Sequence, residues 1–357
     1  MEQKEKDFLY RLFTTPSPSG FEQAIQRVVR DYVKDFADEV KLDVHGNLIA
    51  VKNPNGKIKI MLAGHCDQIG MMVTYIDDKG FIYFKQIGGI DPTVVPGTNL
   101  IIHTADCPVQ GVIGFKPVHL IKSEERGKKL ELSKLWIDIG AKNGDEAKKI
   151  VRIGDPITYR LGVTELANNR ISAVACDDKT GVFVVMNALK LFSEFIQPLG
   201  GHDVALYAVS TVQEEVGLRG ARTSCYGINP AAGIAVDVTF ASDDPGVDAK
   251  EVGTVNLGDG PVISRGSNIN PVLEKILTAT AEEKGIKYQL EAAPGATGTD
   301  ANAIQITQAG VAAALVSIPN RYMHTQVETV ELGDLENAAK LVAEAVVSIK
   351  AETSFIP

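Results

Sequence analysis

Several apolar, strand-like runs in this chain end in residues that can bind a cation or carry a proton. The run 57–63 leads into His65 and Asp67, the run 204–211 is followed by Glu214 and Glu215, and the run 233–237 ends on Asp237. His324 follows the run 311–318 after a short irregular stretch, and Asp177 with Asp178 stands just ahead of an apolar helical run. In open α/β sheets ligands bind beyond the carboxyl ends of the strands, so aligned ends would bring these groups into one crevice. Carboxylates and imidazoles gathered in so small a volume repel one another and destabilise the fold unless cations neutralise them. Mixed histidine and carboxylate ligation, without a cysteine pair, suits zinc, cobalt or manganese rather than a cysteine-rich structural zinc site. Two ions roughly 3.5 to 4 Å apart, sharing a bridging carboxylate, form one of the recurring hydrolytic centres.

The spacing within each pair narrows the roles. His65 and Asp67 are two apart, so at a strand end their side chains share a face, and Asp67 can accept the second ring N–H of His65 and fix its tautomer. Glu214 and Glu215 are adjacent; past the strand, one can bind metal while the other reaches a bound water, placing a ligand beside a general base. Each group also has a plainer reading. His65 taken alone is a satisfied core histidine. Asp178 is either the cap of a helix starting near Lys179 or a support for Asp177, and Asp300, after Thr299, reads as another helix cap. The glutamate pair could be solvated, although the apolar run before it argues against a chance surface pair. Cys66 and Cys176 read as small buried thiols. His45, His103, His119 and His202 have no acidic or histidine partner at ligand spacing and read as turn or surface residues. Arg321 and Tyr322 either touch substrate or pack the loop before His324.

The elements that must position these groups are legible in outline. Ser19 and Glu22 have the form of a capping box, followed by Phe21, Ile25, Val28, Val29, Tyr32, Val33 and Phe36 at helical spacing. Strands are expected at 40–44, 48–51 and 57–63, separated by Gly, Asn and Pro. Between about 70 and 161, short β-rich runs punctuated by turns predict a small barrel or sandwich. After Asn168, helices over 182–195, 270–284, 301–309 and 335–350 alternate with buried strands over 204–211, 233–237 and 311–318, an α/β pattern around a central sheet. The economical organisation is one α/β domain built from residues 1–69 and 166–357, interrupted by a β-rich insertion at 70–165.

Composition excludes some functions. The 357 residues carry 36 basic and 45 acidic side chains, a net charge of −9, with 45% apolar and 23% charged residues. The basic residues are scattered among acids, which disfavours a nucleic-acid partner. Continuous apolar runs such as 311–318 fall short of the roughly 18 to 20 residues a bilayer span requires, so no membrane partner is expected. Four separated cysteines without a CxxC pair suit reduced thiols, and the charged N-terminus lacks the order of a signal peptide, so a cytoplasmic location is expected.

The strings AGHCDQIG, ACDDKTG, VQEEVGLRGA, AVDVT and PNRYMHT, in this order and with a β-rich insertion after the first, resemble the tetrahedral or glutamyl aminopeptidases, a family of cytosolic di-metal exopeptidases. The resemblance runs from Ser19 to the C-terminal helix. It implies a zinc-exopeptidase-like α/β fold, a central mixed sheet flanked by helices, with a PDZ-like barrel insertion that pairs subunits into a dodecameric homo-oligomer. It implies also that His65 and Asp237 hold one metal, that His324 and Glu215 hold the other, and that Asp177 bridges them. Asp67 would orient the first ligand, and Glu214 would be the general base for removing N-terminal residues from short peptides. Two divalent ions per subunit are expected, zinc first, with cobalt or manganese as alternatives. The first motif often carries Glu where this chain has Gln68, a departure outside the ligand set.

Three rival readings use the same residues. A di-metal carboxypeptidase or N-acyl amino acid hydrolase shares the ligand chemistry but requires a different substrate end. A glycosidase built on a carboxylate pair would need no metal. A catalytically silent metal-binding scaffold is the third, and it has no use for a second carboxylate beside Glu215.

Overall fold

The computed structural model describes residues 1–120 and 129–357. The chain opens with α1 (Gln3–Thr14) and α2 (Gln23–Val33), then β1 (Glu39–Leu42), β2 (Leu48–Lys52) and β3 (Ile58–His65). A β-rich segment follows: β4 (Gly70–Ile76), β5 (Ile82–Ile87), β6 (Asn99–His103), β7 (Pro108–Ile113), β8 (Ile137–Asp138), α3 (Gly144–Ile150) and β9 (Pro156–Tyr159). The remainder comprises β10 (Val163–Leu166), β11 (Arg170–Ala173), α4 (Cys176–Ile196), β12 (Val204–Thr211), α5 (Arg219–Ile228), β13 (Ala232–Phe240), α6 (Ala249–Val252) and β14 (Val262–Gly266). It closes with α7 (Pro271–Lys284), β15 (Gln289–Ala293), α8 (Asp300–Gln305), β16 (Ala312–Asn320), β17 (Glu328–Glu331) and α9 (Leu332–Ser348).

Eight strands form one mixed sheet in the order β1-β2-β12-β3-β13-β16-β14-β15. Its middle strands β12, β3, β13 and β16 are mutually parallel. Their sequences are continuous apolar runs because both faces are covered, as parallel sheets require. The segment 70–159 closes into a six-stranded barrel, β4-β5-β8-β7-β6-β9, in which every pairing is antiparallel. Val73, Phe84, Leu100, Ile102, Ile113 and Ile137 fill it, a core separate from that of the large sheet. Val163 already pairs with Ala173 on β11, outside the barrel.

The helix α4 packs on the sheet beneath α9, and its side chains 182–189 are all buried. The run Cys176–Leu199 is long and apolar enough, by length and composition, to cross a membrane, although polar residues interrupt its apolar sequence. More than half of its most apolar window is packed inside the protein, the surroundings of a core helix. Its approach to β3 requires glycine on the strand: a Cβ on Gly64 would lie 2.6 Å from the carbonyl carbon of Gly181.

The capping box expected at Ser19 does not form. The helix α2 starts at Gln23, its N-cap residue Glu22 makes no side-chain cap, and the Ser19 hydroxyl donates to Asp67 Oδ2 at 2.7 Å. A buried carboxylate needs donors, and Ser19 serves that need in place of the helix end. An unanticipated helix, α1, buries Phe8, Leu9, Leu12 and Phe13, with Phe8 stacked on Tyr32 at a ring separation of 3.8 Å.

Candidate active site

Because β12, β3, β13 and β16 run the same way, their carboxyl ends meet at one edge. His65 is the last residue of β3, opposite Thr211 at the end of β12, and Glu214 and Glu215 follow three and four residues after that partner. Asp237 lies on β13, Asp177 in the first turn of α4, and His324 on the loop after β16.

The seven residues expected from the sequence converge. His65 Nε2 is 3.0 Å from Asp177 Oδ1, and His324 Nε2 is 3.1 Å from Asp177 Oδ2. Glu215 Oε1 stands 3.6 Å from His324 Nε2, while Glu214 Oε2 and Asp237 Oδ1 stand 3.8 and 4.0 Å from His65 Nε2. Two sets of ligand atoms each lie within 4.8 Å of one another: His65, Asp177 and Asp237, and Asp177, Glu215 and His324. Asp177 belongs to both, one oxygen toward each histidine. Glu215 Oε1 is buried with no hydrogen-bond partner. A buried carboxylate oxygen left unpaired beside an imidazole is what a missing cation would leave, so the donor set fits two divalent ions.

The electrostatics agree. Burial pushes the carboxyls of Glu214 up to about 10 and of Glu215 and Asp237 up to about 8, with the neighbouring acids adding to it. The bond to Asp177 raises His324 to about 9. Burial disfavours the charged form of His65, but Glu214 and Asp177 outweigh it and hold its pKa well above the ordinary value. Asp177 is desolvated too, yet its bonds to His324 and His65 hold it below the usual carboxylate range. Without metal, protons on imidazoles and carboxyls supply the compensation that cations would supply.

The surrounding groups revise several sequence readings. His65 Nδ1 is 3.1 Å from the backbone carbonyl of Asp67 and 3.5 Å from its Oδ1, so the carbonyl is the closer orienting group. The Asp67 carboxylate also accepts from the backbone N–H of Glu214 (3.0 Å) and of Glu215 (3.2 Å), pinning that loop under the site. Asp178 caps the helix, Oδ1 accepting from Gly181 N, while Oδ2 accepts from His65 N and so holds the end of β3 and not Asp177. Asp300 is not the cap of α8. That place is taken by Thr299, and Asp300 turns inward to accept from Thr211 Oγ1 at 2.6 Å, its carboxyl raised by burial to about 6. Arg321 packs the loop, forking onto Asp243 at 2.7 and 2.6 Å. Gln68 Oε1 accepts from the buried Lys179 Nζ at 2.8 Å, its own amide nitrogen is unpaired, and burial lowers Lys179 to about 7. His202 ties Val347 O on α9 to Val204 N, a structural link and not a surface residue. All four cysteines are free; Cys66 and Cys176 are buried, and burial raises both thiols.

Sequence reasoning missed Glu328. Fully buried on β17, it accepts from Asp177 N at 2.9 Å through Oε2 and from His324 N at 2.8 Å through Oε1. It thus fixes the bridging acid and a histidine of the second set together. Its partners are backbone groups, one of them 151 residues away, which leave no pattern in the sequence.

A cavity of about 540 Å³ opens in front of the cluster, walled otherwise by residues 238–240, 251–252 and 291–299. An α/β sheet that gathers histidines and carboxylates at its strand ends, before an open cavity, defines a metal-dependent hydrolase. Residues 46–341 match the M42 glutamyl aminopeptidase family, and the chain belongs to it. It is 37% identical to the lysyl aminopeptidase of Pyrococcus furiosus, over 96% of this chain and 97% of that one. An aminopeptidase from the archaeon Desulfurococcus kamchatkensis has the same fold, with a TM-score of 0.89, 38% identity and coverage of 98% and 97% of the two chains. The Pyrococcus horikoshii TET1 peptidase, which can assemble into a tetrahedron or a large octahedral shell, shares 30% identity with a TM-score of 0.85, covering 97% of this chain and 100% of that one. The protein is an aminopeptidase, a hydrolase acting on peptide bonds.

Proposed function

We propose that this chain removes N-terminal residues from short peptides at a di-metal centre. His65, Asp177 and Asp237 would hold one ion and Asp177, Glu215 and His324 the other, zinc first, with cobalt or manganese as alternatives. The observation that carries this reading is Asp177, whose two oxygens face two histidines from opposite sides. Divalent ions bound there would acidify water and stabilise the charge that develops on the scissile carbonyl oxygen. Glu214, buried beside His65 and outside both ligand sets, takes a proton from the attacking water and returns it to the departing amine. The carboxylate-rich cavity suits a free α-ammonium group and not a C-terminal carboxylate, which favours the aminopeptidase over the carboxypeptidase reading.

Residues 1–69 and 166–357 form the catalytic unit in this reading, and 70–165 the unit that pairs subunits into a closed homo-oligomer of dodecameric type. Enclosure in such a shell admits short peptides and excludes folded proteins. The four free thiols support a reducing, cytoplasmic setting.

Glu214→Gln tests the mechanism. It keeps size and removes the base, so metal content by elemental analysis should match the wild type while kcat on a free-amine aminoacyl anilide falls about 100-fold to 10,000-fold. Unchanged turnover would remove Glu214 from the mechanism. Cleavage of N-acetylated anilides alone would replace the aminopeptidase with an acyl hydrolase, and anilide cleavage that survives full removal of metal would take the ions out of the mechanism.

A further inference from the structure

The cavity carries charge of one sign beyond the ligand cluster. Glu291 on the edge strand β15 accepts from Ser264 Oγ at 2.6 Å through Oε1 and from Thr239 Oγ1 at 2.7 Å through Oε2. Thr239 is two residues beyond Asp237 on β13, so the two share a face of the strand and stand about 6.5 Å apart along it. The Glu291 carboxylate is thereby fixed beside Thr239, inside the same cavity as the cluster. Two hydroxyl donors leave a carboxylate with further acceptor sites free. Glu251 contributes a second acid to the wall. Phe240, 54% exposed, and Val252, 37% exposed, supply apolar surface to the same cavity. Among the described residues, no lysine or arginine lines this cavity.

From this geometry, and resting on the aminopeptidase reading above, we propose that Glu291 makes the cavity a pocket for a basic N-terminal residue, lysine or arginine, with Glu291 the specificity-determining group. A four-carbon stem would lie on Phe240 and Val252 and carry its ammonium to the carboxylate that Ser264 and Thr239 hold in place. A glutamyl side chain would meet two like charges and, among the described residues lining the cavity, no lysine or arginine, a repulsive arrangement that disfavours it.

The test is kcat/KM of the metal-loaded enzyme for lysyl, norleucyl and glutamyl anilides, in the wild type and in Glu291→Gln. Norleucine has the lysine stem without the ammonium, so the wild type alone isolates the charge. The expected result is lysyl above norleucyl by at least about tenfold, glutamyl slowest, and a lysyl-to-norleucyl ratio that drops toward one in Glu291→Gln. Equal lysyl and norleucyl rates, glutamyl as the best substrate, or a ratio unchanged in folded Glu291→Gln would each overturn the pocket while leaving the aminopeptidase reading intact. Failure to cleave any free-amine anilide would overturn both. Should the variant not fold, the wild-type comparison with norleucine decides.

Discussion

At the residue scale, the site depends on groups that never touch substrate. Glu328 uses both carboxylate oxygens as acceptors, one for the N–H of Asp177 and one for that of His324. Replacing it by glutamine turns one acceptor into a donor facing another donor, so one ligand-bearing backbone must move. Glu328→Gln is expected to weaken metal binding about 10-fold to 100-fold, read by competition with a chelator, with the far-ultraviolet circular dichroism unchanged. Wild-type metal affinity would mean that the loop is held by other contacts. The ligands were legible because acids and histidines at the ends of apolar runs stand out. The groups that hold them were not: the Asp67 carboxylate, Asp178 Oδ2 and Glu328 accept from main-chain N–H groups, which a sequence supplies at every position but proline.

At the element scale, four parallel strands ending together do the gathering, and α4 brings Asp177 up against them through the contact of Gly64 with Gly181. The barrel stands apart in its own core, and it exposes Tyr75, Val112, Phe115, Ile150 and Ile153. Exposed apolar residues on a unit whose described residues contribute no candidate ligand fit a role in association. Sedimentation of the intact protein should give a mass many times that of one subunit, and changing Tyr75 and Val112 to glutamate should give smaller particles. A monomeric wild type would refute the assembly role. The short strands of this segment were recognisable from their turns, as were most helices of the α/β part. The strands β14 and β15 were not: each is only five residues long, β14 is buried over just its first three, and β15, at the sheet edge, alternates without a fully buried residue.

At the scale of the whole molecule, stability and metal are linked through pH. In the metal-free fold, Glu215 and Asp237 titrate at about 8, Glu214 at about 10 and His324 at about 9, all above the values of an unfolded chain. From about pH 5 to about pH 9 the folded state therefore binds more protons than the unfolded state, and stability falls as pH rises. Lys179, lowered to about 7, acts in the opposite sense above that pH, whereas Glu328, raised by burial to about 8, adds to the four. Thermal unfolding in chelator should thus show a midpoint that drops between pH 5 and pH 9, whereas saturating zinc should hold it level or raise it, because bound ligands are deprotonated. A midpoint that rises with pH in chelator would contradict the proton-held cluster.

By itself the sequence determined the chemistry available: which strands are buried on both faces, which residue types close them, and the interruption by a β-rich segment, since apolar period and turn residues are local properties. Tertiary structure alone decided that Ser19 serves Asp67 instead of a helix end, that Thr299 and not Asp300 caps α8, and that Glu328 joins the two ligand sets. It also set Glu291 beside Thr239, at the far wall of the cavity. Each of these is a contact between chain segments far apart in sequence or a choice among competing hydrogen-bond partners, and such choices are made only when the packed chain removes water and leaves each buried polar group one partner to find.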